Sequence, residues 1–103
     1  MSDLPKPPQT HDDFVEAFPE LAEAWQALGA AGKKGPLDER TARLVKLAVA
    51  MGAQQEGAVH ASVRKGLAMG ITRQELEQVV ALCAGTLGLP KTVAAYTWIK
   101  DLL

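Results

Sequence analysis

Gln54-Gln55-Glu56-Gly57-Ala58-Val59-His60-Ala61-Ser62-Val63-Arg64-Lys65-Gly66-Leu67-Ala68-Met69-Gly70 is a helix-like run closed by a glycine, and the rest of the chain is organised around it. Val59, Val63, Gly66 and Leu67 recur at helical spacing and form its apolar side, while Gly70 supplies the left-handed residue that ends a helix. The run also holds the one cluster of chemically able side chains. Glu56, His60 and Arg64 fall at i, i+4 and i+8 and make a polar stripe. Gln55, Ala58 and Ser62 share a different side, because at about 100° per residue His60 lies roughly 160° from Ser62.

Downstream, Thr72-Arg73-Gln74-Glu75 has the form of a capping box, in which the threonine oxygen and the glutamate each serve a backbone N–H. It predicts a helix with Leu76, Val79, Val80, Cys83 and Leu87 on one face. Gly88-Leu89-Pro90 then stops that helix and starts another, whose apolar residues are Ala95, Tyr96, Ile99, Leu102 and Leu103. Upstream, Asp38 caps a helix that carries Leu44, Leu47, Ala48 and Met51 on one stripe, with Arg40, Arg43 and Lys46 lying off it. Before it, Gly32-Lys33-Lys34-Gly35-Pro36 is a loop with its lysines at a solvated tip.

Pro19 opens a further helix at a position where its missing N–H costs nothing. Leu21, Trp25 and Leu28 fall at i, i+4 and i+7 in it, which predicts a buried stripe ending at Gly29 and Gly32. Phe14, Val15 and Phe18 form a short apolar patch. Residues 1–10, with Pro5, Pro7 and Pro8, predict an extended arm. No β-like alternation occurs between turn signals, so the expectation is a single all-α domain of five or six helices over residues 14–103, preceded by a proline-rich arm over residues 1–13.

Composition narrows the function. A chain of 103 residues with 48% hydrophobic residues is enough for one domain that buries roughly 60 to 65% of its unfolded surface. With 11 basic and 12 acidic residues interspersed, a formal charge of −1 gives no footprint for nucleic acid or a membrane surface. Gly66, Gly70 and Leu76 do sit at helix-turn-helix offsets, but the second helix of such a unit would set Arg73 against Glu75 and Glu77, which repels phosphate. No apolar run reaches membrane-spanning length and the N-terminus lacks a signal-peptide core, so a cytoplasmic location is expected. The single cysteine, Cys83, cannot form an internal disulfide. His11, His60 and Cys83 are far apart in sequence, and no metal-ligand spacing or cofactor is expected.

Leu37-Asp38-Glu39-Arg40-Thr41-Ala42-Arg43-Leu44-Val45-Lys46-Leu47-Ala48-Val49-Ala50, followed by Val63-Arg64-Lys65-Gly66-Leu67-Ala68-Met69-Gly70-Ile71-Thr72-Arg73-Gln74-Glu75-Leu76, resembles the carboxymuconolactone decarboxylase-like superfamily, which includes the AhpD-like peroxidases. The resemblance covers about residues 14–103 and implies an AhpD-like helical fold, assembly as trimers or hexamers, and lyase or peroxidase activity of the oxidoreductase kind. The AhpD-like branch uses Cys-x-x-Cys, a histidine four residues on, and a glutamate on the preceding helix. Those positions here hold Gln55 and Ala58, Ser62, and Arg43. Without two thiols and a base relay, dithiol peroxidase chemistry has no machinery. The decarboxylase branch carries His-x-Arg at this point, and here it is Ser62-Val63-Arg64. A serine does not trade protons near neutral pH without a neighbouring base.

Three functions follow as expectations. The leading one is a divergent family member that binds or acts on a small organic acid or lactone, with Arg43, Gln55, Ser62 and Arg64 binding the substrate and with His60 and Glu56 as the catalytic pair. In that pair the carboxylate orients the imidazole; the alternative for the same stripe is a solvated or subunit-facing ion-pair ladder. The second is a non-catalytic oligomeric interaction protein. The third is a peroxidase using Cys83 alone, although its place between Val79 and Leu87 on an apolar face predicts burial and inertness.

Overall fold

The computed structural model describes residues 4–103 as six helices: α1 (Gln9–Ala17), α2 (Pro19–Gly32), α3 (Glu39–Gly52), α4 (Glu56–Ala68), α5 (Arg73–Leu87) and α6 (Leu89–Lys100). There is no strand among the described residues, and none of these helices is long and apolar enough to cross a membrane. The all-α expectation holds. Residues 1–3 of the predicted arm lie outside the described residues.

Helices α3 to α6 form the body. The α3–α4 and α5–α6 hairpins pack side by side, α3 against α5 and α4 against α6. Their shared interior consists of Leu47, Ala50 and Met51 from α3, Val59 and Val63 from α4, Ile71, Leu76 and Val79 from α5 and the turn before it, and Ala95 and Ile99 from α6. Leu47, Met51, Val59, Val63, Leu76, Val79, Ala95 and Ile99 are among the residues that helical periodicity selects, whereas Ala50 and the turn residue Ile71 join the interior without having been on an expected stripe. At α4 a Cβ on Gly66 would stand 3.4 Å from Ile71 Cδ1 and 3.7 Å from Arg43 Cγ, so the glycine sets how closely α3 and the α4–α5 turn approach.

The helix ends explain the boundaries. Asp38 caps α3 by accepting from the Thr41 N–H at 2.7 Å. Thr72 and Glu75 form the reciprocal box at α5, with Glu75 N–H donating to Thr72 Oγ1 at 3.1 Å and Thr72 N–H to Glu75 Oε1 at 2.8 Å. Arg40 reaches from α3 to the same glutamate and to the Gly70 carbonyl, tying the start of α3 to the start of α5. Gly70 closes α4 at φ 86°, with Ile71 N–H returning to Gly66 O and Gly70 N–H to Leu67 O. The same pair of bonds closes α3, from Gln55 N–H to Ala50 O and from Gln54 N–H to Met51 O, and here the left-handed residue is Gln54 at φ 56°. Gln54 and Gln55 therefore belong to the turn, not to the helix in which the sequence places them. Gln54 offsets part of its strained backbone by donating its side-chain amide to Met51 O at 2.8 Å.

Helices α1 and α2 differ from expectation. α1 starts at Gln9, inside the segment read as an extended arm, because Pro8 takes an extended conformation at the N-cap and its ring is compatible with the helix that follows. The stripe expected to be buried on α2 is not: Leu21, Trp25 and Leu28 are 47%, 71% and 64% exposed. α2 packs mainly on α1, which is itself too short to cover it, and neither helix buries a residue. The amphipathic pattern is real, but its apolar face meets solvent within one chain.

Candidate functional site

The central helix separates two groups of polar side chains. Along the α3-facing flank, a cleft of about 350 Å³ opens between the end of α2, the outer side of α3 and the last turns of α4. It is lined by Arg43 and Lys46 from α3, Lys65 and Met69 from the α4 side, Lys33 beyond α2, and Glu39. Four cations thus face one carboxylate. Arg43, half-buried, packs its stem beside Gly66 and lines the cleft.

The cations of this cleft outnumber its carboxylate. Among the described residues, no carboxylate stands within ion-pair distance of Arg43, Lys46, Arg64 or Lys65. Burial, and after it the nearby Arg64 charge, lowers the pKa of Arg43. Burial likewise lowers that of Lys65, followed by the charges of Arg43, Arg64 and Lys46. Both shifts have the sign of like charges crowded together and partly taken out of water. An anion in the cleft would relieve them, and a planar carboxylate suits the fork of a guanidinium.

On the α6-facing flank, His60 Nε2 lies 3.0 Å from Asp101 Oδ2, the C-cap of α6. Glu56, one turn before His60, stands close by. His60 is thus paired across helices rather than within a Glu56–His60–Arg64 ladder.

The sequence-selected residues therefore divide. Arg43 lines the cleft, and Arg64 bears on it through its charge. Ser62 is 5% exposed, within the α4 packing face rather than on the cleft wall. Gln55 is exposed at the N-cap of α4 and also stands apart from the cleft. His60 and Glu56 are on the opposite flank, with Asp101. Cys83 is half-buried between α3 and α5, beside Leu44, Val79 and Leu82, and has no second thiol.

Sequence reasoning missed Lys46 and Lys65 as cleft residues, took Lys33 for a solvated tip, and had no reason to single out Asp101. A signal for the first two was present. Neither Lys46 nor Lys65 has an acidic residue three or four positions away, the spacing at which a surface cation on a helix is ordinarily matched.

Comparison with known proteins agrees with this architecture. The sequence profile of the carboxymuconolactone decarboxylase family matches residues 19–101, from the first residue of α2 to the C-cap of α6. The chain is similar in structure to the apo form of a carboxymuconolactone decarboxylase family protein from Legionella pneumophila, with a TM-score of 0.75 and 24% identity over 91% of this chain and 88% of that one. At that identity the likeness speaks for the fold. No curated protein matches the chain.

Proposed function

As the chain belongs to the carboxymuconolactone decarboxylase family, we propose that it binds or acts on a small organic acid or lactone in the α2–α3–α4 cleft, without dithiol peroxidase chemistry. One observation carries this reading: Arg43, Lys46 and Lys65 converge on one cleft, and among the described residues none of them has a carboxylate within ion-pair distance. Arg43 anchors the ligand's carboxylate, and Lys46 and Lys65 supply further positive potential. Glu39, the carboxylate among the lining residues, disfavours ligands that bring a second negative charge to its side of the cleft.

Calorimetric titration with a panel of four- to six-carbon mono- and dicarboxylates tests it. The parent should bind at least one member saturably, and Arg43→Met, which keeps the apolar stem against Gly66 but removes the charge, should weaken that binding about tenfold or more while retaining its fold. Undiminished affinity in Arg43→Met would remove Arg43 from the role.

The exposed apolar face supports self-association as part of the same reading. Phe14, Phe18, Leu21, Trp25 and Leu28, on α1, α2 and the residue between them, are all more than two-fifths exposed, and exposed apolar side chains grouped on neighbouring elements favour association. A second and third copy of the chain would cover it, and α2, which also borders the cleft, would then join assembly to binding. Trp25→Glu is expected to shift the protein from oligomer to monomer in sedimentation velocity; a parent that already sediments as a monomer would contradict the assembly.

A further inference from the structure

We propose that Glu56, His60 and Asp101 form a binding site for a divalent transition-metal ion of the zinc or cobalt type, on the flank of α4 opposite the anion cleft. The three residues offer one imidazole nitrogen and two carboxylate oxygens, and these atoms all lie within 4.8 Å of one another. Two ligand atoms at ordinary zinc distances and a tetrahedral angle stand about 3.3 Å apart. The His60 Nε2 to Asp101 Oδ2 separation of 3.0 Å is already close to that. Glu56 is exposed and has only to swing its side chain inward to complete the tripod.

Both main elements of the body contribute. Glu56 and His60 sit one turn apart on the same face of α4, and Asp101 is delivered by the C-cap of α6, where the helix carbonyls also favour a cation. The N-terminal end of α4 opposes this with about half a unit of positive charge, against two full carboxylate charges. Nearby cations do not fill the place: Lys100 lies over the Tyr96 ring at 5.6 Å, and the Arg64 charge acts on Arg43 and Lys65. His60 is only 29% exposed and Asp101 47%, so α4 and α6 already hold two of the ligands in register. One nitrogen with two oxygens suits zinc, cobalt or manganese better than magnesium, which prefers an all-oxygen shell. Three protein ligands also leave room for a water or an exchangeable group. Asp101 is 41 residues from His60, which is why no ligand spacing is visible in the sequence.

The test uses the full chain stripped with a chelator and then titrated with Zn²⁺ by calorimetry and with Co²⁺ by visible absorption. One ion per chain is expected. His60→Ala should abolish binding, and Asp101→Asn and Glu56→Gln should each weaken it about tenfold or more. His11→Ala, at the exposed His11–Asp12 pair far along the sequence, should leave it unchanged. If His60→Ala fails to fold, the near-isosteric Asp101→Asn still gives the answer. Absence of saturable binding by the parent would show that the His60–Asp101 pair is a tether between helices only, and would overturn the site. Binding that survives all three ligand substitutions, or that moves with His11, would overturn it equally.

Discussion

The two flanks of α4 are held by the same helix and separated by the same buried ridge of Val59 and Val63, yet they collect opposite charge. Toward α3, Arg43, Lys46 and Lys65 gather with no ion-pair partner among the described residues; toward α6, His60 meets Asp101 beside Glu56. The difference teaches that a family resemblance along one helix does not keep its chemistry on one side. Lys65 and His60, five residues apart and so about 140° apart around the helix, cannot converge on a common ligand, and each joins the neighbour on its own side.

The largest way to break this contrast is to loosen the partner of one flank. Ile99 on α6 is fully buried against the body, and Ile99→Ala should cost about 2 to 5 kcal/mol in chemical denaturation. Removing the charge from the other flank acts on binding instead. Arg43→Met should lower affinity for the carboxylate by the worth of a charge-assisted hydrogen bond, about 1.5 to 3 kcal/mol or roughly 10- to 150-fold, with a much smaller change in stability.

The pH dependence of binding sharpens the same contrast. Lys65 has a pKa lowered from 10.5, chiefly by burial and then by the neighbouring cations. An anion favours its charged form, so binding raises that pKa and takes up protons in the window between the empty and filled values. Affinity should therefore be full at neutral pH and fall as pH rises through the lowered value, a decline that Lys65→Gln should abolish. Titrations in buffers of different ionisation enthalpy would detect the proton uptake.

The smallest predicted effects concern the two ends that frame α4. Gly70 and Gln54 occupy the same left-handed position in the same pair of returning hydrogen bonds. Gly70→Ala should cost about 1 to 2 kcal/mol, since a Cβ is disfavoured there. Gln54→Gly should change stability by less than about 1 kcal/mol, because relief of backbone strain is offset by the lost amide bond to Met51. A large loss at Gln54 and none at Gly70 would reverse the account of these turns.

The sequence was most legible where structure is local or where an apolar stripe meets another stripe. The Asp38 cap, the Thr72–Glu75 box, the Gly70 stop and the interior residues Leu47, Met51, Leu76 and Ile99 all follow from short-range hydrogen bonding and helical periodicity. The Leu21–Trp25–Leu28 stripe shows the limit of that reasoning. Periodicity identifies a face that must be covered, but not whether the same chain covers it. The candidate site was legible only through Arg43 and the charge of Arg64. Lys65 joins Arg43 through the α3–α4 packing at Gly66, and Asp101 reaches His60 through the packing of α6, and neither juxtaposition has a sequence spacing to announce it.

The most direct test of the anion cleft is a backbone amide NMR titration of the parent protein with the tightest-binding carboxylate. Saturable shifts at Ala42, Arg43, Lys46, Lys65 and Met69, with Glu56, His60 and Asp101 unmoved, are the predicted result. Shifts centred on the α6 flank, or none that saturate, would contradict it.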